Sequence, residues 1–454
     1  MPAMPPWADG APGGSSLALF TDLYELTMVQ AYVADGTGDV PATFSLFVRT
    51  LPGARNFLLA AGLESVLRYL ESLRFDSDAI AYLRTLGCFT QSFLDWLARF
   101  RFQGSVVAVP EGTPMFAGEP LLEITGGLAE AQLFETLLIN EMHTQTMLAS
   151  KAARVVLAAQ GRRVVDFSAR RVHGVDASVK GARAFAIAGI SATSNLLAGK
   201  THDLPVVGTM AHAYVQSFEN EADAFRAFVR QYPETTLLVD TYDTLQGVRR
   251  VVDLARELGA QFKVQAIRLD SGDLATLSKQ AREMLDAAGL HHVRIFASGG
   301  LDEHALAELL SRGAPIDAFG VGTRMGVSED APTLDVVYKL TEFAGRGRMK
   351  LSPGKNLLPG RKQIWRRETG GIYSGDVIGR ADESLSGTPL LRLVMKDGRR
   401  LVPAPPLQQI ASYAAAELAK LPPPVRGRAT AAYPVTVSDS LTAHAESVQA
   451  ALRS

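Results

Sequence analysis

The sequence contains a single cysteine, Cys88, so it can form no internal disulfide and offers no second thiol for a metal cluster. That excludes a disulfide-stapled fold and favours a reducing compartment, the cytoplasm; Cys88 itself reads as a small buried hydrophobe. No apolar run reaches the roughly 18 residues that a membrane-crossing helix requires. Neither charge sign dominates: 46 Lys and Arg face 47 Asp and Glu, a net charge of −1. The chain therefore has no general attraction for nucleic acid or an anionic membrane, and any anionic ligand has to be held by a local site. Residues 1–16 lack both the basic start and the apolar centre of a targeting peptide, and their Pro, Gly and Ala predict a disordered tail.

What is present is an ordinary globular composition, 47% hydrophobic and 20% charged over 454 residues, with room for two or three domains. From Arg163 onward, strand-like and helix-like stretches alternate. Strands are predicted at 163–167, 205–208, 235–239, 263–269, 293–297 and 316–320, with helical runs such as 220–231, 244–259 and 273–288 between them. Strand, helix, strand at this repeat means parallel pairing, in a barrel or a doubly wound sheet. The placement of the polar residues favours the barrel. Arg170 and Arg171, Thr209 and His212, Asp240 and Asp243, and Arg268 and Asp270 all fall just after a strand, and a barrel gathers such ends on one face. The expected fold is α/β: an irregular (β/α) TIM-like barrel over 128–345, with a second α/β domain built from residues 17–127 and 346–454. In that second domain a helix starts close to Tyr24 and stops at Gly36, and a basic segment after 345 holds Lys350, Lys355, Arg361 and Lys362. That segment reads either as a solvated loop or as a second anion site.

The stretch Val293–Met325 organises the rest. An apolar run ends in Ser298-Gly299-Gly300, Asp302 stands where a helix cap belongs, and a second run ends in Gly320-Val321-Gly322-Thr323. Glycine turns one βα unit apart, aided by helix dipoles, suit a phosphate dianion. His212 follows another strand, where an imidazole can act as a base or be phosphorylated. Arg268 can grip a planar carboxylate, while Asp270 can hold a ribose hydroxyl or support bound magnesium. Asp273, and one of Asp240 and Asp243, read as helix caps.

The motifs TDLYELTM (21–28), Arg170-Arg171, TSNLLAGK (193–200), GTMAH (208–212), LLVDTYDT (237–244), RLDSGD (268–273), ASGG (297–300) and GVGT (320–323) occur in this order. Together they resemble the nicotinate phosphoribosyltransferases. The resemblance implies that nicotinate and phosphoribosyl pyrophosphate give nicotinate mononucleotide and pyrophosphate in NAD salvage, with ATP hydrolysis coupled through a phosphohistidine. It implies Mg2+ and ATP as cofactor and co-substrate, a homodimer with a shared active site, and no nucleic acid or membrane partner. By matching position, His212 is the phosphorylated histidine, and Tyr24, from the neighbouring subunit, and Phe167 flank the pyridine ring. Thr209 and Arg268 contact nicotinate, and Arg170 serves the phosphoribosyl group. Ser298, Gly299, Gly300, Gly322 and Thr323 form the 5′-phosphate loops, and no protein-only metal site is implied; on the residues' own chemistry, Asp270 is expected to stabilise a cation-like transition state and so to be catalytic. Two positions depart from many relatives: Ser168 stands for a glycine, and Ser191 lies where several have an acidic residue. The rival readings are a nicotinamide phosphoribosyltransferase and a sugar-phosphate barrel lyase or isomerase.

Overall fold

A computed structural model of the protein describes residues 17–53, 55–352 and 357–453. The predicted tail at 1–16, and Lys355 of the basic segment, lie outside the described residues. The chain divides into two compact units, Lys151–Asp330 and the combination of Met1–Ser150 with Ala331–Ser454.

Lys151–Asp330 is built on a six-stranded parallel sheet: β1 (Arg163–Asp166), β2 (Ala192–Thr193), β3 (Thr236–Leu238), β4 (Ala266–Leu269), β5 (Arg294–Ala297) and β6 (Ala318–Val321). The strand order is β2-β1-β6-β5-β4-β3, so the first long strand pairs with the last, with Asp166 opposite Val321. A single parallel bridge, Thr193 to Val206, extends the β2 edge. Pairing thus follows chain order around a ring and is interrupted between Val206 and β3, which gives a parallel half-barrel sheet. The strand predicted at 205–208 is reduced to that bridge, because Pro205 has no N–H to donate and can offer only its carbonyl, which accepts from Thr193 N at 3.0 Å. Beyond it the chain coils into helices His212–Gln216 and Glu221–Gln231 instead of completing a ladder. The short strand β2 escapes sequence reading because two residues show no periodicity.

The intervening helices bury one apolar stripe each. Val248, Val251, Val252 and Leu254 do so in Thr244–Leu258, each side chain contributing about 1.5–3 kcal/mol relative to exposure. Their N-termini are capped by carboxylates immediately after the strands. Asp243 accepts from Gln246 N at 2.8 Å, Asp273 from Ala275 N at 3.2 Å, and Asp302 from His304 N at 3.0 Å and Ala305 N at 2.8 Å. One end of the sheet therefore carries caps and polar loops.

In the other unit, strand Val336–Phe343 pairs antiparallel with Pro41–Val48, Ala42 opposite Phe343, inside a seven-stranded sheet. That pairing puts the division at 330, since the chain joins a new sheet as soon as it leaves the parallel one. At the other boundary the short helix Leu128–Gln132 follows residue 127, and a second helix, Glu135–Ala158, spans the division after Ser150. Lys362 is neither solvated nor an anion site: it is buried, 3.0 Å from Glu123. Arg366 is likewise buried, bonded to Asp376 at 2.6 Å. The alternation of strand Lys362–Thr369 turns these cations inward, where buried carboxylates neutralise them. Cys88 is exposed rather than buried, because it follows Gly87 (φ +69°) in the turn between helices Ser77–Thr85 and Gln91–Arg99. Among the described residues no helix is long and apolar enough to cross a membrane.

Candidate active site

Strand β4 alternates, so Ile267 and Leu269 are fully buried while Arg268 between them points to the opposite face. There its guanidinium is fixed by three different nitrogens. Nε donates to Ser298 Oγ at 2.7 Å, Nη1 to Thr209 Oγ1 at 2.9 Å, and Nη2 to Asp270 Oδ1 at 2.5 Å. The Ser298 hydroxyl also donates to Asp270 Oδ1, which closes the set. The guanidinium carbon lies 5.4 Å from the centroid of the Phe167 ring, and Phe167 meets Phe296 at 5.7 Å with a 42° tilt. Gly320 on β6 makes room for this aromatic pair: a Cβ there would lie 2.7 Å from Phe167 and 2.9 Å from Phe296.

Two carboxylates stand beside the arginine. Burial pushes the Asp270 carboxyl up, but the Ser298 hydroxyl, the Arg268 charge and hydrogen bond, and the charge of His212 outweigh it and leave it below the ordinary aspartate value. Asp240 Oδ2 accepts from Asp270 N at 3.0 Å and from the Ser271 hydroxyl at 2.6 Å. Its other oxygen, Oδ1, is buried and has no hydrogen-bond partner. Such an atom is costly to leave unmatched unless a donor or cation arrives with a ligand. His212 opens the short helix after Thr209, and its Nδ1 lies 3.1 Å from Thr241 Oγ1. When Nδ1–H donates to that hydroxyl, Nε2 keeps its lone pair.

The glycine turn after β5 is locked against this cluster. Gly299 has φ +94° and a Cβ would fall 1.9 Å from the Asp270 carbonyl oxygen, so only glycine fits; Gly300 follows at φ +61°. Neither glycine carries a side chain to keep a ligand from its backbone N–H group. Asp302, just beyond, bonds Arg324 at 2.9 Å and so ties this turn to the one at Gly322-Thr323. The second turn opens onto Thr323–Gly326, a single turn of helix, and so lacks the long dipole that the sequence spacing implies.

The sequence profile of the nicotinate phosphoribosyltransferase (NAPRTase) N-terminal domain matches residues 19–143, that of the NAPRTase family residues 162–355, and that of the C-terminal domain residues 383–444. The chain is 52% identical over 427 residues to a nicotinate phosphoribosyltransferase of Mycobacterium tuberculosis, covering 93% of this chain and 92% of that protein. The chain belongs to the nicotinate phosphoribosyltransferase family. The Bacillus subtilis nicotinate phosphoribosyltransferase is 41% identical, with 83% of this chain and 79% of that protein covered. The crystal structure of human nicotinic acid phosphoribosyltransferase superposes with a TM-score of 0.85 at 28% identity, covering 94% of this chain and 99% of that one.

Within this member of the family, Asp270, Thr209, Ser298 and Phe167 each meet Arg268, and Ser298 also meets Asp270. Gly299 abuts Asp270, and Gly322 is close enough to the Phe167 carbonyl that a Cβ would be 3.2 Å from it. Thr323 is exposed, as is Arg170, which sits on the turn Ala169–Arg171. Tyr24 belongs to the other unit. It is 46% exposed on helix Leu23–Ala34, next to exposed Phe20 and Leu23, and burial together with the charge of Glu135 raises its phenol pKa.

Sequence reading passed over three residues. Phe296 supplies the second ring, Thr241 orients His212, and Asp166 holds the loop that carries Phe167. Asp166 is buried at the end of β1, where Oδ1 accepts from Ser168 N at 2.8 Å and Ser168 Oγ at 2.6 Å, and Oδ2 from Thr193 Oγ1 at 2.8 Å. Its signal was present: a carboxylate at a strand end in VVDFSARR obeys the same rule that picks out Asp240 and Asp270. Ser168, which replaces a glycine of many relatives, is buried against the side of Gly326 and uses its hydroxyl on Asp166. Ser191 is bonded to Val164 O at 2.8 Å and to Arg163 Nε at 3.0 Å, at the entry to β2.

Proposed function

We propose that the chain catalyses transfer of the phosphoribosyl group to nicotinate in NAD salvage, in the cytoplasm. The observation that carries this reading is the Arg268 fork, held by Ser298, Thr209 and Asp270 beside the Phe167 ring. A planar cation next to an aromatic wall suits an aromatic carboxylate, which needs a stacking surface and a bidentate partner at once. Ser191 contributes no carboxylate where an amide substrate would want an acceptor, so nicotinate is favoured over nicotinamide.

In this reading Phe167 covers one face of the pyridine ring, and Tyr24 of a neighbouring subunit covers the other. Arg268 and Thr209 hold the nicotinate carboxylate. Ser298, Gly299, Gly300, Gly322 and Thr323 cradle the 5′-phosphate, and Arg170 meets the pyrophosphate side of the phosphoribosyl donor. The half-barrel sheet is then an irregular (β/α) barrel open at the seam after Val206. The bond from C1′ to the pyrophosphate oxygen breaks and its electron pair leaves with pyrophosphate, while the ring nitrogen lone pair forms the new C1′–N bond. Positive charge that develops on the ribose is stabilised by the ionised Asp270. Magnesium, when bound with the donor, would neutralise the pyrophosphate oxygens. Among the described residues no three His, Cys, Asp or Glu side chains gather to hold a metal alone. The unmatched Asp240 Oδ1 fits a cation that brings most of its ligands with the substrate.

ATP enters through His212. With Nδ1 engaged by Thr241, Nε2 attacks the γ-phosphorus; the bond to ADP breaks, and water later returns phosphate. The added dianion lies within electrostatic range of Asp270 and so changes affinity as well as rate. Incubation with γ-labelled ATP tests this. The wild type is expected to take up label that survives base and is lost in acid. His212→Ala is expected to take up none and to lose ATP stimulation while retaining slow uncoupled transfer. A His212→Ala variant with full ATP stimulation would overturn the coupling but not the transferase reading.

A further inference from the structure

We infer that the substrate site adjoins a chamber for a ring substituent, so that the enzyme also takes 3-pyridinecarboxylates carrying a small apolar group at C5, with Val207 and Ala318 setting that range. The inference rests on the nicotinate reading above. The chamber is a cavity of about 150 Å³ within Lys151–Asp330. Five strands each contribute their first residue to its wall: Arg163 of β1, Thr236 of β3, Ala266 of β4, Arg294 of β5 and Ala318 of β6. It therefore lies at the strand starts, away from the end that carries Asp270 and the glycine turns. Phe167, Thr209 and Phe296 of the candidate active site line it as well. Thr209 is the hydroxyl that Arg268 Nη1 meets at 2.9 Å, and Phe167 is the ring beside that guanidinium, so the cavity adjoins the place assigned to the nicotinate ring.

Small residues open this chamber. In a parallel barrel the interior positions are usually filled by bulky branched side chains. Here Ala266 shares the face of Arg268 by strand alternation, and Ala318 shares the face of Gly320, so two interior positions carry no more than a methyl group. Ala318 lies opposite Phe296 on one side and Arg163 on the other. Val165 and Val207 extend the apolar wall. Val207 is placed by its backbone, whose N–H donates to Thr193 O at 3.0 Å, so its side chain can change without loss of that bond. At the far end the lining turns polar: Arg294 Nη2 lies 3.5 Å from Gln265 Oε1, and Arg163 Nε donates to Ser191 Oγ at 3.0 Å.

Which ring atom faces the chamber follows from the reaction. The ring nitrogen has to face ribose C1′, and the 5′-phosphate turns lie at the strand ends, so the opposite edge, C3 to C5, faces the strand starts. C3 carries the carboxylate that Arg268 and Thr209 hold. A group at C4 would twist that carboxylate out of the ring plane and spoil its match to the planar guanidinium. Groups at C2 or C6 flank the nitrogen and collide with the incoming ribose. C5 is left. A methyl there meets the apolar wall of Val165, Val207 and Ala318, and its burial is worth up to roughly fourfold in affinity.

Steady-state kinetics of phosphoribosyl transfer to nicotinate, 5-methylnicotinate, 6-methylnicotinate and 5-propylnicotinate is the test, comparing wild type, Ala318→Leu and Val207→Ala. The wild type is expected to use 5-methylnicotinate with kcat/KM within about tenfold of nicotinate, and 6-methylnicotinate at least about a hundredfold less well. Ala318→Leu fills the chamber and is expected to lower kcat/KM for 5-methylnicotinate at least about tenfold while leaving nicotinate within about twofold. Val207→Ala widens the chamber without crowding the sheet and is expected to raise kcat/KM for 5-propylnicotinate at least about threefold, so it decides the matter if Ala318→Leu does not fold. Refusal of 5-methylnicotinate by a wild type that turns over nicotinate would overturn the chamber and leave the transferase reading standing. Equal losses for nicotinate and 5-methylnicotinate in Ala318→Leu, or unchanged use of 5-propylnicotinate in Val207→Ala, would do the same. No transfer to nicotinate itself would overturn the transferase reading and the inference with it.

Discussion

Arg268 uses three of its nitrogens on three different side chains, and this rigidity distinguishes it from a generic positive charge. A lysine at that position would keep the charge but present one rotating ammonium in place of a planar fork. Arg268→Lys is therefore expected to lose about 2–5 kcal/mol of transition-state stabilisation, roughly a 30- to 5000-fold fall in kcat/KM for nicotinate. Steady-state kinetics would check it, and wild-type kinetics in this variant would remove Arg268 from the substrate site. Residues of this kind were legible in the sequence because each follows a β-run directly and is chemically conspicuous. Phe296 and Thr241 were not: one reads as an ordinary strand residue, the other as an ordinary loop hydroxyl, and only the tertiary contacts with Phe167 and His212 give them meaning.

At the scale of elements, the ends of β1 and β2 are joined by one buried carboxylate. Asp166 accepts from both Ser168 donors and from Thr193, so it sets the path of the loop that carries Phe167. Removing it strands three donors in a dry place, at about 1–3 kcal/mol for each buried group left unsatisfied. Asp166→Leu is expected to lower thermal stability markedly. Asp166→Asn should cost less, since its carbonyl oxygen can still accept from Ser168. Thermal unfolding of the two variants decides this, and equal melting temperatures for wild type and Asp166→Leu would contradict it. The parallel strands were legible through their β-branched runs, and the helix caps through Asp243, Asp273 and Asp302. Three features were not legible: the two-residue strand β2, the reduction of 205–208 to one bridge, and the burial of Lys362 and Arg366. Each depends on partners distant in sequence, such as Glu123 and Asp376, that no local pattern announces.

For the whole molecule, the exposed group Phe20, Leu23 and Tyr24 at the start of one helix is the kind of apolar surface that a second subunit covers. If, as proposed, Tyr24 reaches a neighbour's site in a homodimer, Tyr24→Ala and His212→Ala damage different subunits' contributions to each site. Refolding an equal mixture of the two variants is expected to restore roughly a quarter of the ATP-stimulated sites, because half the dimers are mixed and each mixed dimer has one intact site. A mixture no more active than the average of the two variants would place Tyr24 within its own subunit's structure. The most direct measurement for the molecule is product formation from nicotinate, nicotinamide and quinolinate, each with phosphoribosyl pyrophosphate, with and without ATP. Nicotinate is expected to give its mononucleotide and pyrophosphate with ATP stimulation, and the other two at least about a hundredfold lower kcat/KM, because the Arg268 fork beside the Phe167 ring is matched to one aromatic carboxylate. Equal or better turnover of nicotinamide or quinolinate, or no transfer to any of the three, would contradict it.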